Sequence, residues 1–250
     1  MSSAARHRAG AGVVVSSLAE LADLALARSC GGCGLLGTRW CAACGQLLGG
    51  PLLRRMLDDG GPVVWSAAVY DGCVQTAVVA WKDRDRPDLS PFFGAAAHRA
   101  ARAAVADLVA AQSKAGSAED AGALLVVPAP SSASARRTRG WHPVRDVATR
   151  TAAGLRRRGI QARMQPVLRQ RRGVLDQSGL DVADRAGNLA GALSVPGHWH
   201  EYLDGRSCLL VDDVVTSGAT LREAARALRA AGASTVVAAT LAATPLRGHA

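Results

Sequence analysis

The chain has 250 residues, of which 49% are hydrophobic and 4% aromatic, and its formal net charge is +10. This length and composition allow one sizeable core with a small additional module. The apolar runs are too short to span a bilayer, and the Ala/Ser/Arg/Gly-rich start lacks the apolar stretch of a secretion signal, so we expect a soluble, cytoplasmic protein.

The N-terminal part of the chain carries a metal-binding pattern. We predict a flexible stretch over residues 1–15, followed by a short helix over 16–28. Two Cys-x-x-Cys pairs come next with seven residues between them, namely Cys30, Cys33, Cys41 and Cys44. This spacing is typical of a four-thiolate zinc site; a redox-active pair and disulfides are alternatives, and disulfides are disfavoured in a cytosolic chain. We predict a helix plus a module folded around structural zinc over residues 16–60.

A Gly/Pro/Asp-rich break at residues 58–62 introduces a second unit, predicted over 61–250. Its first part, roughly 63–111, is predicted to contain a strand and two helices. The first of these helices includes Lys82, which we interpret as a lone surface lysine. Cys73 and Cys208 lie in apolar stretches and are predicted to be core thiols rather than metal ligands.

The second part of this unit, roughly 123–242, alternates strands with helices. Such alternation predicts an α/β fold with a parallel sheet flanked by helices, and ligands at the carboxyl ends of the strands. The polar segment 169–190 is long for a connection and is a candidate mobile active-site loop. The predicted strands are 123–127, 160–168, 207–211 and 234–241, and the predicted helices are 141–158 and 218–231.

Positive charge is concentrated in residues 136–172, which hold twelve arginines and one acid, Asp146, for a local net charge of +11. The only lysines of the chain are Lys82 and Lys114. Guanidinium groups suit bidentate phosphate contacts. A GC-rich genome would explain the choice of Arg over Lys but not this concentration, so we expect a phosphate-rich ligand or nucleic acid at this surface.

Residues 208–220 are the most informative segment of the chain. An apolar strand ends in two carboxylates, Asp212 and Asp213, and is followed by a loop of small residues and a helix. Free N–H groups at a helix start bind phosphate, and carboxylates bind vicinal hydroxyls directly or through Mg²⁺. Phosphate and diol together describe a ribose 5-phosphate.

This segment resembles the phosphoribosyl pyrophosphate (PRPP) signature of type I phosphoribosyltransferases. The resemblance implies a type I phosphoribosyltransferase-like fold in which Asp212 and Asp213 bind the ribose and the following loop binds the 5-phosphate. The loop residues it assigns to PRPP are Val215, Thr216, Ser217, Gly218, Ala219 and Thr220.

The order of several weaker motifs is similar to that of the ComF family, amidophosphoribosyltransferase-like proteins linked to DNA uptake in competent bacteria. These motifs are the double Cys-x-x-Cys, a strand end at 127–130, an Arg-Gly-aromatic element at 139–141, and an Arg…Gln…Arg…Asn series at Arg169, Gln177, Arg185 and Asn188. The sequence departs from the family at His142 and Pro143, where Asn-Gln is usual. Whether His142 contacts ligand or caps the next helix is left open. Lys82 also resembles a position of the family, although we favour the interpretation of a lone surface lysine.

The ComF resemblance implies PRPP and Mg²⁺ as ligands, a hood over roughly 63–111, a core over roughly 123–242, and a link to DNA uptake or nucleotide metabolism. The pyrophosphate-binding residues it implies are Val127, Pro128, Ala129 and Pro130. Asp212, Asp213, Arg139, Arg169 and Arg185 are the candidate catalytic residues, with the arginines drawing off pyrophosphate. The nitrogen acceptor and the oligomeric state are unknown. Two alternatives remain, a DNA-uptake factor that binds single-stranded DNA along residues 136–172 and a PRPP sensor without turnover.

Overall fold

The computed structural model describes residues 29–114, 122–130, 141–171 and 191–245. Several predictions fall outside these ranges. They concern the flexible start and the helix at 16–28, most of the linker at 112–122, most of the loop at 169–190, and the side chains of Arg139, Gln177, Arg185 and Asn188.

A six-stranded sheet in the described part has the order β1-β2-β8-β7-β3-β4, and a separate pair of short strands, β5 and β6, lies outside it. Strands β2, β8, β7, β3 and β4 are parallel, while β1 pairs antiparallel with β2 at one edge. The strands are β1 (Leu53–Met56), β2 (Val63–Val69), β3 (Leu124–Pro128), β4 (Ala162–Met164), β5 (Arg169–Gln170), β6 (Leu193–Ser194), β7 (Ser207–Val215) and β8 (Thr235–Ala243).

Helices cover both faces of this sheet, which is why its central strands are apolar along almost their whole length. One face packs against α2, α3 and α4, and the other packs against α6. The described helices are α1 (Ala42–Gly49), α2 (Gly72–Asp83), α3 (Ser90–Lys114), α4 (Pro143–Arg156), α5 (His200–Leu203) and α6 (Ala219–Arg229). The predicted α/β architecture with a mostly parallel sheet is confirmed.

The predicted bounds differ most from the structure at two strands. Strand β7 continues past Val211 to Val215 because β8 runs beside it to Ala243 and supplies hydrogen-bond partners. Strand β4, predicted over 160–168, ends at Met164, two residues before Pro166, which has no N–H to continue the ladder. The predicted domain boundary near residue 60 stays a prediction; β1, which lies before it, is part of the main sheet.

Candidate active site

The carboxyl ends of β3 and β7 lie side by side, which brings two predicted ligand-binding segments together. Pro128 is in register with Val211, and the Ala129 N–H donates to the Val211 carbonyl at 2.8 Å. Val127 and Ala129 are buried, and Pro130 is half-buried at the end of the segment. The strand end at 127–130 therefore lies directly beside the acid pair that follows Val211.

The two carboxylates are held by the backbone that follows each of them. The Asp213 N–H donates to Asp212 Oδ1 at 2.9 Å, and the Val214 N–H donates to Asp213 Oδ1 at 2.7 Å. Asp213 is buried, with 7% of its surface exposed. Burial, and next the negative charge of Asp213, raise the pKa of Asp212 well above its usual range. Such a pair favours ligands that bring hydroxyl donors or positive charge.

Lys82 forms an ion pair with Asp213 through its Nζ and the Asp213 Oδ2. The interpretation of Lys82 as a lone surface lysine is therefore wrong. A weak signal was available, since Lys82 resembles a position of the ComF family and is one of only two lysines in the chain. Neighbouring Trp81 is fully buried and anchors that end of the helix in the core. The sequence pattern cannot show that Lys82 on α2 pairs with Asp213 on the distant strand β7.

The loop after β7 has the form of an anion-binding turn. Gly218 adopts φ 77° just before α6, a conformation that favours glycine. The Thr216 carbonyl accepts from Arg55 Nη1 at 2.9 Å, and the Ser217 carbonyl accepts from Arg222 Nη1 at 3.0 Å. In a trans peptide the next N–H points opposite to the carbonyl, so these arginines turn the N–H groups of residues 217 and 218 away from themselves.

The remaining loop residues complete this turn. Val215 is buried and anchors the loop in the core, whereas the hydroxyl-bearing Thr216 and Ser217 are exposed. Ala219 and Thr220 form the start of α6, where the helix leaves its first N–H groups without helical partners. The positive end of the helix dipole then adds to the attraction for phosphate.

A cavity of about 270 Å³ opens beside the acid pair on the side of α2. The walls combine apolar and charged groups from β2, α2 and the end of β7. Its lining residues are Tyr70, Val78, Val79, Lys82, Asp83, Asp213, Val214 and Thr216. This cavity is large enough for a small planar molecule next to the acid pair, and the motifs did not predict Tyr70 or Asp83 as part of it.

Other predicted site residues are not brought to the acid pair by a described contact. Arg169 is exposed, and its guanidinium donates to the carbonyls of Pro166 at 2.5 Å and Leu168 at 3.1 Å. Arg139 and Arg185 lie outside the described residues. Trp141 packs edge-on against Trp81, with ring centroids 5.8 Å apart. His142 is exposed and precedes α4, but its side chain makes no capping hydrogen bond.

The four predicted metal ligands come together near the described N-terminus. The Sγ atoms of Cys30, Cys33, Cys41 and Cys44 all lie within 4.8 Å of one another. Zn–S bonds of about 2.3 Å in a tetrahedron separate the sulfurs by about 3.8 Å, so this cluster is close to the required geometry. The cysteines are free thiols rather than disulfides. The residues can therefore hold a metal ion such as zinc.

Backbone donors favour the thiolate form of Cys30, whereas burial and the neighbouring sulfurs raise the pKa of Cys44 above its usual range, and the pKa of Cys33 is raised as well. The Cys41 N–H donates to Cys30 Sγ at 3.4 Å, and the Cys44 N–H donates to Cys41 Sγ at 3.5 Å. Although burial acts to raise it, hydrogen bonds from nearby backbone N–H groups lower the pKa of Cys30 to about 6. Thiolates are the form that binds zinc.

The two other cysteines differ from each other. Cys208 is fully buried in β7, and burial raises the pKa of its thiol to about 12, as expected of a core residue. Cys73 is half-buried rather than in the core, and it packs against the four-cysteine cluster from the first turn of α2.

Comparison with known families adds an independent observation on the C-terminal part of the chain. Residues 164–248 match the family model of the phosphoribosyl transferase domain. This match supports a phosphoribosyltransferase-type family, and it includes the acid pair, the loop after it, α6 and β8. No curated protein matches the chain. Among the described residues, no helix is both long and apolar enough to cross a membrane.

Proposed function

We propose that the protein is a Mg²⁺-dependent phosphoribosyltransferase of the ComF type that uses PRPP and a nitrogen acceptor. The observation that carries this proposal is the junction of β3 and β7. There an acid pair, a strand-end loop and an N–H-rich turn meet at one edge of a parallel sheet. The phosphoribosyl transferase family match over the same strand and turn supports it.

The proposed reaction is a substitution at the anomeric carbon of the ribose. The bond from this carbon to the pyrophosphate oxygen breaks, and pyrophosphate leaves with the electron pair. A bond from the acceptor nitrogen forms, and the nitrogen releases its proton to solvent. Positive charge develops on the sugar ring, so nearby carboxylates and cations near the leaving group both lower the barrier.

We assign the residues to parts of PRPP by their chemistry. Asp212 and Asp213 bind the ribose hydroxyls, and the turn at 215–220 binds the 5-phosphate through its N–H groups. The strand end at 127–130 receives the pyrophosphate. Arg139, Arg169 and Arg185 are the proposed cations for the leaving group.

Both proposed metals match the donor groups available to them. Carboxylates of the acid pair are the oxygen ligands that Mg²⁺ prefers, and when bound with PRPP the ion would neutralise the pyrophosphate. The four thiols suit zinc in a purely structural role. Free thiols persist in a reducing compartment, so we also propose a cytoplasmic location.

The test is a titration of the protein with Mg²⁺–PRPP and a panel of nitrogenous bases, with pyrophosphate release as the readout. We expect release that depends on one class of acceptor, and we expect Asp213→Asn to abolish it. Asp58→Asn removes an exposed carboxylate of the same type and should leave release unchanged. A calorimetric titration with Mg²⁺–PRPP alone completes the experiment.

The two readouts separate the proposal from its alternatives. Binding of PRPP without release for any acceptor would favour a PRPP-sensing regulator. Absence of PRPP binding by the wild-type protein would overturn the proposed transferase and the PRPP-sensing regulator alike. Release that survives in Asp213→Asn would contradict the assignment of the acid pair.

A role in handling single-stranded DNA is the second candidate, and the arrangement of the Arg-rich segment favours it. Arg156 and Arg163 line a cavity of about 540 Å³, and Arg157 and Arg158 are exposed nearby. This cavity lies beside Ala123 and Ala162, at the amino ends of β3 and β4 and therefore opposite the acid pair. The acid of the segment, Asp146, is already paired with Arg150. DNA could thus bind without displacing PRPP.

Binding of fluorescent single-stranded DNA at increasing salt tests this candidate. Few aromatic residues are present to stack on bases, so we expect mainly electrostatic binding that weakens steeply with salt. Replacement of Arg157 and Arg158 by Gln should weaken binding of all sequences alike. Affinity that does not change between low and high salt would exclude this mode of binding.

A further inference from the structure

Helix α2 lies between the four-cysteine module, residues 29–44, and the acid pair. It has 12 residues and is therefore about 18 Å long. Its first turn carries Cys73, which packs against the cysteine cluster, and its last turn carries Lys82, which pairs with Asp213. The two ends of one helix thus contact the proposed zinc site and the proposed ribose site.

The module and the first turn of α2 are in direct contact. A Cβ atom on Gly32 would lie 2.8 Å from Cys44 Sγ and 3.1 Å from both the Cβ and the carbonyl oxygen of Cys73. There is no room for a side chain, so the backbone of the module rests on the helix. A shift of this backbone must therefore move the helix or lose the contact.

The segment that follows α2 is held to the module as well. Gly31 lies against Leu89, where an added Cβ would be 2.5 Å from Leu89 Cδ1. Arg86 donates to the Ser29 carbonyl at 3.0 Å, and the same guanidinium is fixed by its ion pair with Asp88. The module therefore holds α2 at its start and just after its end.

The last turn of α2, which carries Lys82, is firmly packed in the core. Trp81 is fully buried, its Nε1–H donates to Ser90 Oγ at 3.0 Å, and its ring meets Phe93 edge-on at 5.1 Å. A lysine side chain normally samples many rotamers. Here its backbone is fixed by the neighbouring tryptophan, so the position of α2 determines whether Nζ reaches Asp213.

We propose that Lys82 is a positioning residue that orients Asp213 for the ribose, and that the four-cysteine module acts on the site by setting the position of α2. The inference rests on the proposed function, because it concerns the PRPP site. Asp213 Oδ1 is already fixed by the Val214 N–H. Lys82 fixes Oδ2, so both oxygens of this buried carboxylate have a defined direction. Without Lys82, a buried carboxylate oxygen loses its charged partner, which is costly and frees the group to turn.

A double-mutant cycle on PRPP affinity tests this coupling. The variants are Lys82→Met, Cys33→Ser and the combination of the two, titrated calorimetrically with Mg²⁺–PRPP. We expect Lys82→Met to weaken PRPP binding at least about tenfold, and Lys82→Arg to restore most of it. Cys33→Ser should weaken binding in the wild-type background but add little in the Lys82→Met background, since both changes act through the same contact.

Controls separate positioning from loss of folding or charge. Arg84→Met removes an exposed cation just after α2 and should leave PRPP affinity unchanged. Metal content and thermal melting of every variant are measured alongside. If Cys33→Ser does not fold, Gly32→Ala replaces it, because its Cβ would press on Cys44 Sγ and on Cys73 while all four thiols remain.

Wild-type affinity in Lys82→Met would overturn the inference while leaving the proposed function intact. If the fold-change in PRPP affinity of the double variant equals the product of the two single fold-changes, the coupling to the module is overturned. Absence of PRPP binding by the wild-type protein would overturn the proposed function and this inference together.

Discussion

Asp212 shows how a residue of the proposed site can oppose folding. Its carboxylate lies beside that of Asp213 near the end of a buried strand, and burial together with the charge of Asp213 raises the pKa of Asp212. A raised pKa means that the native state binds this proton more tightly than the unfolded chain. The corresponding stability is present below the ordinary pKa of 3.8 and is lost as pH rises through the raised value. At neutral pH the charge on Asp212 therefore costs stability.

Asp212→Asn should accordingly stabilise the ligand-free protein at neutral pH while it weakens PRPP binding. A gain of about 1 kcal/mol would raise the melting temperature by roughly 2–4 °C in a chain of this size. We expect the difference from wild type to shrink as pH is lowered toward 4. Melting curves over this pH range measure it, with exposed Asp58→Asn as the control. A lower melting temperature at neutral pH would contradict the argument.

Both the backbone conformation at position 218 and the atoms around it favour glycine. Its φ of 77° disfavours other residues, and an added Cβ would lie 2.6 Å from a methyl carbon of buried Leu57. Gly218→Ala should cost about 1–3 kcal/mol of stability and weaken PRPP binding, because the turn must deform. Gly197→Ala is the matched control, since a Cβ there meets open space. Equal melting temperatures for the two variants would show that the turn tolerates a side chain.

At the scale of elements, helix α6 also fixes the position of strand β6. Glu223 on α6 is buried, and its Oε1 accepts from the Leu193 N–H at 2.9 Å. Arg226 pairs with the same carboxylate and donates to the Leu193 carbonyl at 3.2 Å. The helix that begins at the proposed phosphate-binding turn thus also anchors β6.

Glu223→Gln should lower the melting temperature at neutral pH. Although burial acts to raise it, hydrogen bonds from Arg226 and from backbone N–H groups lower the pKa of Glu223. A lowered pKa gives stability that is present above the ordinary value of 4.5 and is lost as pH falls through the native value. The loss should be about 1–3 kcal/mol at neutral pH, typical of bonds to a charged group.

The pH dependence makes this prediction specific. The two proteins should converge as pH falls below 4.5, because wild-type Glu223 then takes up a proton as well. Exposed Glu201→Gln serves as the control for removal of an acid. A constant difference at all pH values would show that Gln disturbs packing rather than charge.

At the scale of the molecule, the four-cysteine module is packed against the helices that cover one face of the sheet. Trp40 of the module meets the rings of Phe92 and Phe93, each at 6.0 Å. Arg99 of α3 donates to the carbonyls of Leu48 and Gly50, which end α1. Loss of metal should therefore affect more than the module alone.

We expect one zinc ion per chain by elemental analysis, and a lower melting temperature after chelation. Cys33→Ser should reduce the zinc content, whereas Cys208→Ser, far from the cluster in the core, should keep it. Full zinc content in Cys33→Ser, or a melting curve that does not respond to chelation, would contradict a structural metal.

The sequence by itself determined the parallel α/β architecture, because the periodicity of strands and helices is a local property of the chain. The spacing of the cysteines predicted their cluster for the same reason, since each Cys-x-x-Cys forms one turn. The acid pair and the turn after it could be recognised in the sequence because they form one contiguous segment. Their assignment to PRPP, like the roles of Arg139, Arg169 and Arg185, stays a prediction.

Only the tertiary structure decided which distant residues meet these local motifs. The ion pair of Lys82 with Asp213 joins segments more than a hundred residues apart. The hydrogen bond of Arg55 to the Thr216 carbonyl spans a still longer separation. Both pairings follow from the strand order, which places β2 and β8 between the edge strand and β7. A single sequence shows what each segment can form, but the packing of helices on the sheet fixes which side chains come within reach.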